Sequence, residues 1–423
     1  MDKIKMVSAR QVFDSRGIPT IEAEVQTNSG IFRAIVPSGT SAGKHEALEL
    51  RDGAKEFSGK GVRKAVSSVE KKIAPKLLKK DPNQQKQLDK LMVKLDSTPN
   101  KEKFGANAIL SVSMALCRAG AAAQKKELFQ YIGSLSGNKK FVLPVPQILL
   151  LEGGAHAHQS TDLQEFMVLP IGAKTFSEAM RFGIETYKAL EGVLKKQGLS
   201  TNVGKEGAFA PKISSNDAAL DLIVSAIEEA GFRPGKDLAI AIDAAASEFF
   251  GKGIYSFKSE SRQMSSSELQ QYYEELVKKY PLISIEDPFA EDDWQAFASL
   301  TDSIGSKVQI VGDDLLVSNE QRVERAIKEK ACNALLLKPN QIGTVTEALG
   351  AAKLAMKRNW KVIVSHRSGD TEDAFIADLA VGIGCGQIKT GAPVRGERTA
   401  KYNQLLRIEE KLGSKAKFSN NIF

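Results

Sequence analysis

The chain has few cysteines and no long apolar segment, and each absence argues against a class of protein. Its three cysteines, Cys117, Cys332 and Cys385, lie far apart and none belongs to a CxxC pair. Disulfide scaffolds and paired-cysteine zinc sites are therefore not expected, whereas buried thiols in a reducing compartment are. No apolar run approaches the roughly 20 residues that a membrane span requires. Residues 1–5 alternate charged and apolar types, unlike a secretory signal. We expect a cytoplasmic protein without a membrane partner.

The chain also lacks a concentrated basic region, although its net charge is +8, from 59 basic and 51 acidic residues. The lysines occur mostly as dispersed doublets, such as Lys71-Lys72 and Lys278-Lys279. No basic stripe interleaved with aromatic residues is present, so we expect a solvated surface and no nucleic-acid partner. The excess of positive charge would still attract small anions weakly.

At 423 residues the chain is too long for one ordinary domain and suits a small domain followed by a barrel. The segments 6–13, 20–27 and 31–36 are rich in β-forming residues and separated by glycine-containing turns, which predicts a meander. Apolar residues at helical spacing predict a helix over 106–123. The segment 134–140 is the predicted linker. These features predict an α+β domain over 1–135 and a catalytic domain over 136–423.

Beyond residue 140, short apolar segments alternate with amphipathic stretches. Such apolar segments are typical of strands covered on both faces, and repeated β-then-α units predict a TIM-type barrel of the α/β class. The predicted strands are 238–242, 282–285, 308–311, 334–337 and 362–364, and the clearest helices are 267–279, 319–328 and 344–357.

Charged residues follow the predicted strands. One such carboxylate is usually a helix cap, but lysines and a histidine recur at the same place in the pattern, which caps do not explain. Because strand ends of a barrel converge on one mouth, we expect a ligand site there. The residues concerned are Asp243, Glu286-Asp287, Asp313-Asp314, Lys338, His366-Arg367 and Lys389.

Asp243, Glu286 and Asp313 form an oxygen-only set, which suits Mg²⁺ better than zinc; three capping carboxylates are the alternative. Lys338 and Lys389 follow strands at the same mouth. Neighbouring cations would lower the pKa of a lysine there, so that one could act as a neutral base. Surface ion pairs are the alternative reading of these two lysines.

Three glycine-containing loops carry further polar groups. The sequence EGGAHAH at 152–158 contains His156 and is followed by Gln164 and Glu165, and TNVGKEGAFAP at 201–211 contains Glu206. The sequence PSGTSAGKHE at 37–46 places Ser41 between two glycines, as in a hinged lid. Each loop alone would be read as an ordinary turn.

The chain resembles the enolase family over nearly its whole length. Specific motifs carry the resemblance: ARQVFDSRG (9–17), HEALELRDG (45–53), IEDPF (285–289), GDDL (312–315), SHRSG (365–369), QIKTGAP (387–393) and AKYNQLLRIEE (400–410). The resemblance implies a modified barrel of the order ββαα(βα)6 behind an α+β capping domain that carries the lid. It also implies a homodimer that dehydrates 2-phospho-D-glycerate reversibly to phosphoenolpyruvate, with two Mg²⁺ ions per active site, the second arriving with substrate.

The resemblance also implies roles for individual residues. Lys338 is expected to be the base and Glu206 the acid that releases the hydroxyl group. Asp243, Glu286 and Asp313 are expected to hold the first metal ion, and Ser41 the second. The residues expected to position the substrate are Ser41, His156, Gln164, Glu165, Ser365, His366, Arg367, Ser368 and Lys389.

Several positions depart from the family pattern. GKEGA at 204–208 stands where GDEGG is usual, so Lys205 replaces an acidic residue beside Glu206; we expect Lys205 to point away from it. Glu152 replaces the usual asparagine, and SGTSAG replaces SGASTG in the lid. Two other readings stay open: a member of the superfamily that acts on acid sugars, and a former enolase that serves as a binding or structural protein.

Overall fold

A computed structural model describes residues 2–40, 43–53, 55–157, 160–420 and 422. It begins with an antiparallel sheet in the order β1-β2-β3, in which Val7 pairs with Val25 and Ala23 with Ala34. The predicted meander is confirmed. Its strands are β1 (Met6–Phe13), β2 (Pro19–Gln26) and β3 (Ile31–Ile35).

In the described residues five helices follow this sheet, and the first, second and fourth of them contact it. The fourth, α4, has Ile109, Val112 and Leu116 fully buried, as the helical spacing predicted. It is long and apolar enough to cross a membrane by length and composition, but 83% of it is buried inside the protein, where it contacts β2 and β3. It is therefore a core helix. The helices are α1 (Arg63–Ser68), α2 (Ala74–Leu77), α3 (Gln85–Asp96), α4 (Ala106–Ala123) and α5 (Leu128–Ser136).

The predicted linker begins too early. Residues 134–136 belong to α5, which ends at Gly137 with a left-handed φ of 82° that glycine adopts without strain. Lys101 pairs with Glu347 at 2.9 Å across the two halves of the chain. The division into residues 1–135 and 136–423 stays a prediction.

The second half of the chain forms a closed barrel of eight strands in the order β10-β11-β12-β13-β14-β4-β5-β6. All neighbours are parallel except β5, which is antiparallel to both β4 and β6. The predicted order ββαα(βα)6 is therefore confirmed. The barrel strands are β4 (Val145–Glu152), β5 (Glu165–Leu169), β6 (Ala239–Asp243), β10 (Leu282–Glu286), β11 (Gln309–Gly312), β12 (Ala334–Leu337), β13 (Lys361–Ser365) and β14 (Gly386–Lys389).

Nine helices surround the barrel in the part of the chain that the structure describes, and polar caps fix where several of them begin. Ser265, Asn319 and Thr344 each accept a backbone N–H of the following turn, so the helices start one residue later than the cap. A small sheet, β7 (Phe250–Gly251), β8 (Ile254–Phe257) and β9 (Arg262–Met264), follows β6. The helices are α6 (Phe176–Lys196), α7 (Asn216–Glu229), α8 (Ser266–Lys279), α9 (Trp294–Ile304), α10 (Glu320–Glu329), α11 (Pro339–Ile342), α12 (Val345–Lys357), α13 (Phe375–Ile383) and α14 (Gly396–Leu412).

Candidate active site

The strand ends converge as the sequence predicted. Asp243 ends β6 and pairs in register with Glu286 at the end of β10, and Lys389 ends β14 beside Ser365 of β13. Because β5 runs in the opposite direction, its first residue, Glu165, lies at the same mouth and pairs with Asp243. One pocket at this mouth is lined by Thr40 and by most of the predicted site residues: His156, Gln164, Glu165, Glu206, Asp243, Asp313, Lys338, Ser365, His366, Arg367, Ser368 and Lys389.

Glu286 is a predicted metal ligand that does not line the pocket. Its Oε2 contacts the ammonium of Lys389, which does line the pocket, at 2.8 Å. Ser41, the predicted ligand in the lid, lies outside the described residues.

The Lys389 ammonium is enclosed by carboxylates. Its Nζ lies 2.9 Å from Glu165, 3.1 Å from Asp243 and 2.8 Å from Glu286. Burial by itself would lower the pKa of Lys389, but the charges of Asp243, Glu165 and Glu286 outweigh burial and hold that pKa well above its usual value. Lys389 is therefore a fixed positive charge.

The Lys338 ammonium faces a carboxylate. Its Nζ contacts Asp313 Oδ2, and Gln341 Nε2 donates to the other oxygen of that carboxylate at 2.8 Å. Burial lowers the pKa of Lys338, but Asp313 outweighs burial and raises it. The lowered pKa expected from neighbouring cations stays a prediction for the site with metal bound, because the nearest charge to Lys338 in the structure is the Asp313 carboxylate.

Two acidic residues of the same strand ends were not assigned a role from the sequence. The Asp287 carboxylate accepts the backbone N–H groups of Asp313 and Asp314, each at 2.8 Å, and so shapes the turn that carries Asp313. Burial raises the pKa of Asp314 to about 8 and, together with Asp314, holds the pKa of Asp287 well above its usual value. Their positions beside Glu286 and Asp313 were the available signal.

Within the described residues, two groups of side chains bring potential metal-ligand atoms within 4.8 Å of one another: Asp287, Asp313 and Asp314; and His156, Glu165 and Glu206. Of the predicted metal triad, Asp313 belongs to the first group, whereas Asp243 and Glu286 face Lys389. Glu286 Oε1 is buried without a hydrogen-bond partner. A buried carboxylate oxygen in that condition is costly unless a cation or a proton satisfies it.

Glu206 is held in the site through its backbone. The Glu152 carboxylate at the end of β4 accepts the N–H of Glu206 at 3.0 Å and that of Ala208 at 2.9 Å, both through Oε1. A Cβ on Gly204 would lie 2.5 Å from Glu152 Oε2, so the loop requires glycine to approach this carboxylate. Glu152 is therefore a structural element of the Glu206 loop.

The Glu206 side chain faces two histidines. His366 Nε2 lies 3.3 Å from Glu206 Oε2, and His156 Nδ1 lies 3.7 Å from Glu206 Oε1. Burial raises the pKa of Glu206, whereas protonated His366 and His156 would lower it well below its usual value. However, burial lowers the pKa of His366 to about 4 and also lowers that of His156. Neutral rings would not attract the Glu206 carboxylate as charges, which leaves burial, raising the pKa of Glu206, opposed by the Arg398 guanidinium, which lowers it.

Lys205 points away from the Glu206 carboxylate, as expected. Its Nζ donates to the Ala155 carbonyl at 2.8 Å and so ties the Glu206 loop to the loop that carries His156. No ion pair joins Lys205 to Glu206 in the part of the chain that the structure describes. Lys205, which stands where the family pattern has an acidic residue, therefore joins the Glu206 loop to the His156 loop.

Arg367 and Ser368, two of the residues expected to position the substrate, already make polar contacts. Arg367 pairs with Glu46 at 3.0 Å and 3.1 Å. The Ser368 hydroxyl accepts the backbone N–H of Thr40 at 2.8 Å, which joins the lid segment to the barrel. Nothing in the sequence pattern pointed to Glu46 as the partner of Arg367.

The fold and site define a two-domain barrel enzyme whose acidic mouth holds buried lysines and suits a divalent cation. Residues 4–132 match the family model described as "Enolase, N-terminal domain", and residues 140–423 match "Enolase, C-terminal TIM barrel domain". The chain belongs to the enolase family, and membership implies a divalent metal.

Curated relatives agree over the full length. The chain is 54% identical to "Enolase 2" of Methanospirillum hungatei, covering 99% of this chain and 97% of the relative. It is 55% identical to "Enolase" of Solanum lycopersicum, covering 100% and 98%, and 53% identical to "Enolase" of Acidothermus cellulolyticus, covering 99% and 97%.

Proposed function

We propose that this protein is a cytoplasmic, homodimeric lyase that dehydrates 2-phospho-D-glycerate reversibly to phosphoenolpyruvate, with two Mg²⁺ ions per active site. The observation that carries the proposal is that Lys338, whose side chain is 12% exposed, and the buried Glu206 line the same acidic pocket. Identity of 53–55% to curated enolases over nearly the whole chain supports the same reaction.

The carboxylates of the mouth fit a hard divalent cation. Asp243, Glu286 and Asp313 lie at or just beyond the ends of three neighbouring strands and supply oxygen atoms only, as Mg²⁺ prefers. The orphan Oε1 of Glu286 is an unused ligand atom. We propose these three residues as ligands of the first ion and Ser41, in a lid carried by residues 1–135, as a ligand of the second. Bound Mg²⁺ would supply positive charge beside the substrate carboxylate, where negative charge develops.

The base and the acid approach the substrate from two sides. Lys338 follows β12, and Glu206 lies in a loop that is hydrogen-bonded to β4, three strands away in the ring of eight. In the proposed reaction Lys338 Nζ takes the proton from C2, the electron pair forms the C2–C3 double bond, and the C3 hydroxyl leaves as water with the proton of Glu206. Lys338 must lose its own proton first, which requires its contact with Asp313 to weaken.

The remaining residues would hold the substrate and stabilise charge. The fixed positive charge of Lys389 would lie near the substrate carboxylate, and Arg367 with Ser368 would bind the phosphate, Arg367 exchanging its contact with Glu46. We propose positioning roles for Ser365, His366, His156, Gln164 and Glu165. Preorganised charges of this kind stabilise the intermediate without reorganisation during the reaction.

The test is formation of phosphoenolpyruvate from 2-phosphoglycerate, followed by absorbance at increasing Mg²⁺ concentration. We expect turnover that depends on the metal and falls by about 10²- to 10⁴-fold in Lys338→Ala and in Glu206→Gln, the usual contribution of one proton-transfer group. Lys328→Ala, at an exposed lysine of α10, is the matched control and should retain full activity.

An absence of turnover at every Mg²⁺ concentration would refute the proposed function. A panel of acid sugars run alongside would then distinguish a related dehydratase from a protein that has lost catalysis. Sedimentation of the purified chain tests the homodimer separately.

A further inference from the structure

Arg398, in the first turn of α14, is completely buried, and its guanidinium group contacts the loop that carries His366. Its Nη1 lies 2.5 Å from His366 Nδ1 and donates to the Arg367 carbonyl at 2.7 Å. Its Nη2 donates to the Ser368 carbonyl at 2.7 Å. The side chain is 0% exposed, so no solvent competes for these contacts.

These contacts determine which ring nitrogen of His366 carries the proton. A guanidinium group stays protonated in proteins and has only donors, so the nitrogen that faces it must accept. His366 Nδ1 is therefore unprotonated, and in the neutral ring the proton lies on Nε2. That nitrogen is the one 3.3 Å from Glu206 Oε2.

We propose that Arg398 is a positioning residue for the dehydration reaction: it fixes the Nε2–H tautomer of His366 and aims that N–H at Glu206. The inference deepens the proposed function and rests on it for the role of Glu206. The Nε2–H group is not aligned with Glu206 Oε2 here, and within the described residues that oxygen lacks a hydrogen bond. Such contacts often tighten when substrate is bound.

The packing around the pair supports a fixed arrangement. Gly391, with a φ of +81°, lies where a Cβ would be 2.9 Å from Arg398 Cδ, 3.0 Å from His366 Cε1 and 3.2 Å from the Glu206 carbonyl oxygen. The arginine stem, the ring and the Glu206 backbone thus meet at one glycine. Burial has the largest effect on the pKa of His366 and lowers it, and the charged groups that face the ring are Glu206, Arg398 and Asp370.

The consequence for catalysis is that His366 presents an N–H to Glu206, to be donated when the contact tightens, and does not compete for the Glu206 proton. A second proton on the ring would have to enter at Nδ1, against the guanidinium charge, so the ring stays neutral. The same side chain also holds the carbonyl groups of Arg367 and Ser368, the two residues proposed to bind phosphate. Loss of Arg398 should therefore affect both the acid and the phosphate side.

The experiment is a two-bond ¹H–¹⁵N spectrum of the full chain labelled with ¹⁵N-histidine at pH 7. Only four histidines are present, and His366→Asn assigns the resonance of interest. We expect an unprotonated Nδ1 and a protonated Nε2 in the unaltered protein. In Arg398→Met we expect a mixture of tautomers and a fall in kcat of about 10- to 100-fold, the usual loss when the orienting partner of a site residue is removed. Arg398→Lys, which keeps a charged donor, should restore part of both.

The control is Arg118→Met, which removes an arginine that donates to the Arg33 carbonyl and pairs with Asp373 outside the pocket. It should leave the His366 spectrum unchanged. A protonated Nδ1 in the unaltered protein, or an unchanged tautomer in Arg398→Met, would overturn the inference. If Arg398→Met does not fold, the spectrum of the unaltered protein still decides. Because the spectrum reports the tautomer without any turnover, failure of this inference can be distinguished from failure of the proposed function.

Discussion

Replacement of Glu152 by glutamine should make the stability of the protein less sensitive to a rise in pH from about 4.5 to about 8. Burial, with a smaller effect of Glu206, raises the pKa of Glu152 to about 8 from its usual value of 4.5. Glutamine has the same shape, and its carbonyl oxygen can occupy the position of Oε1, which accepts both the Glu206 and the Ala208 N–H. The substitution therefore removes the charge and keeps the two backbone contacts.

The sign follows from the direction of the shift. A folded state that binds the Glu152 proton more tightly than the unfolded chain loses stability as pH rises from about 4.5 to about 8. At about 1.4 kcal/mol per pH unit, the loss is at most about 5 kcal/mol, shared with the neighbouring Glu206. The glutamine variant lacks this loss, so its stability relative to the unaltered protein should increase with pH.

The assay is the thermal unfolding midpoint at pH 5, 7 and 9 for both proteins. Titrating groups that do not interact with Glu152 cancel in the difference between them. Glu228→Gln, at an exposed glutamate of α7, is the matched control and should show no such trend. Glu152→Asn is too short to reach either N–H and should lower the midpoint at every pH. A difference between Glu152→Gln and the unaltered protein that stays constant from pH 5 to pH 9 would refute the reasoning.

Four further outcomes are expected. Lys205→Asp should change the pH–rate profile little, because the lysine contacts the Ala155 carbonyl; a large gain in rate would show that it interferes with Glu206. Gly204→Ala should lower both kcat and the unfolding midpoint, because its Cβ would lie 2.5 Å from Glu152 Oε2. Adding Glu152→Asp to this variant should restore part of the midpoint. A Gly204→Ala protein with an unchanged midpoint and kcat would contradict the geometry. Asp378→Asn should become more stable than the unaltered protein by up to about 3 kcal/mol as pH rises from 4 to 7 in urea unfolding, because burial raises the pKa of Asp378 to about 6; a constant difference would contradict this. Chelation should lower the unfolding midpoint and Mg²⁺ should restore it, since a ligand bound only by the folded state stabilises it; equal midpoints would argue against a structural metal site.

The sequence predicted the parts of the fold and site that depend on local periodicity. Apolar segments of strand length end in charged residues, and parallel strands bring such ends together. The positions of Asp243, Lys338 and Lys389 at one mouth therefore follow from the sequence alone. Glu165 could not be placed by that rule, because β5 runs in the opposite direction and contributes its first residue. Only the family resemblance indicated it.

Local sequence patterns did not predict the contacts between segments that are distant in the chain. The contact of the Lys338 ammonium with Asp313, 25 residues earlier, which raises the pKa of Lys338, was not indicated by the sequence pattern. Arg398 follows His366 by 32 residues and sits on a helix whose pattern indicated no role in the site. Such pairings depend on how loops of neighbouring strands fold over the mouth, and single-residue patterns do not encode that.

The proposed base, Lys338, and the proposed acid, Glu206, lie in different parts of the barrel: one in the regular βα units and one beside the antiparallel strand β5. Lys338 follows a regular βα unit, where Asp313 and Gln341 hold it. Glu206 lies in the irregular half, where β4 and β5 are followed by two helices, α6 and α7, in place of regular β-then-α units. Changes at Glu152 and Gly204, which hold the backbone of Glu206, fall in that half alone. They should therefore alter the rate at which the hydroxyl group is released. Exchange of the C2 proton with solvent should continue at its own rate, because it requires only Lys338 and the residues that hold it.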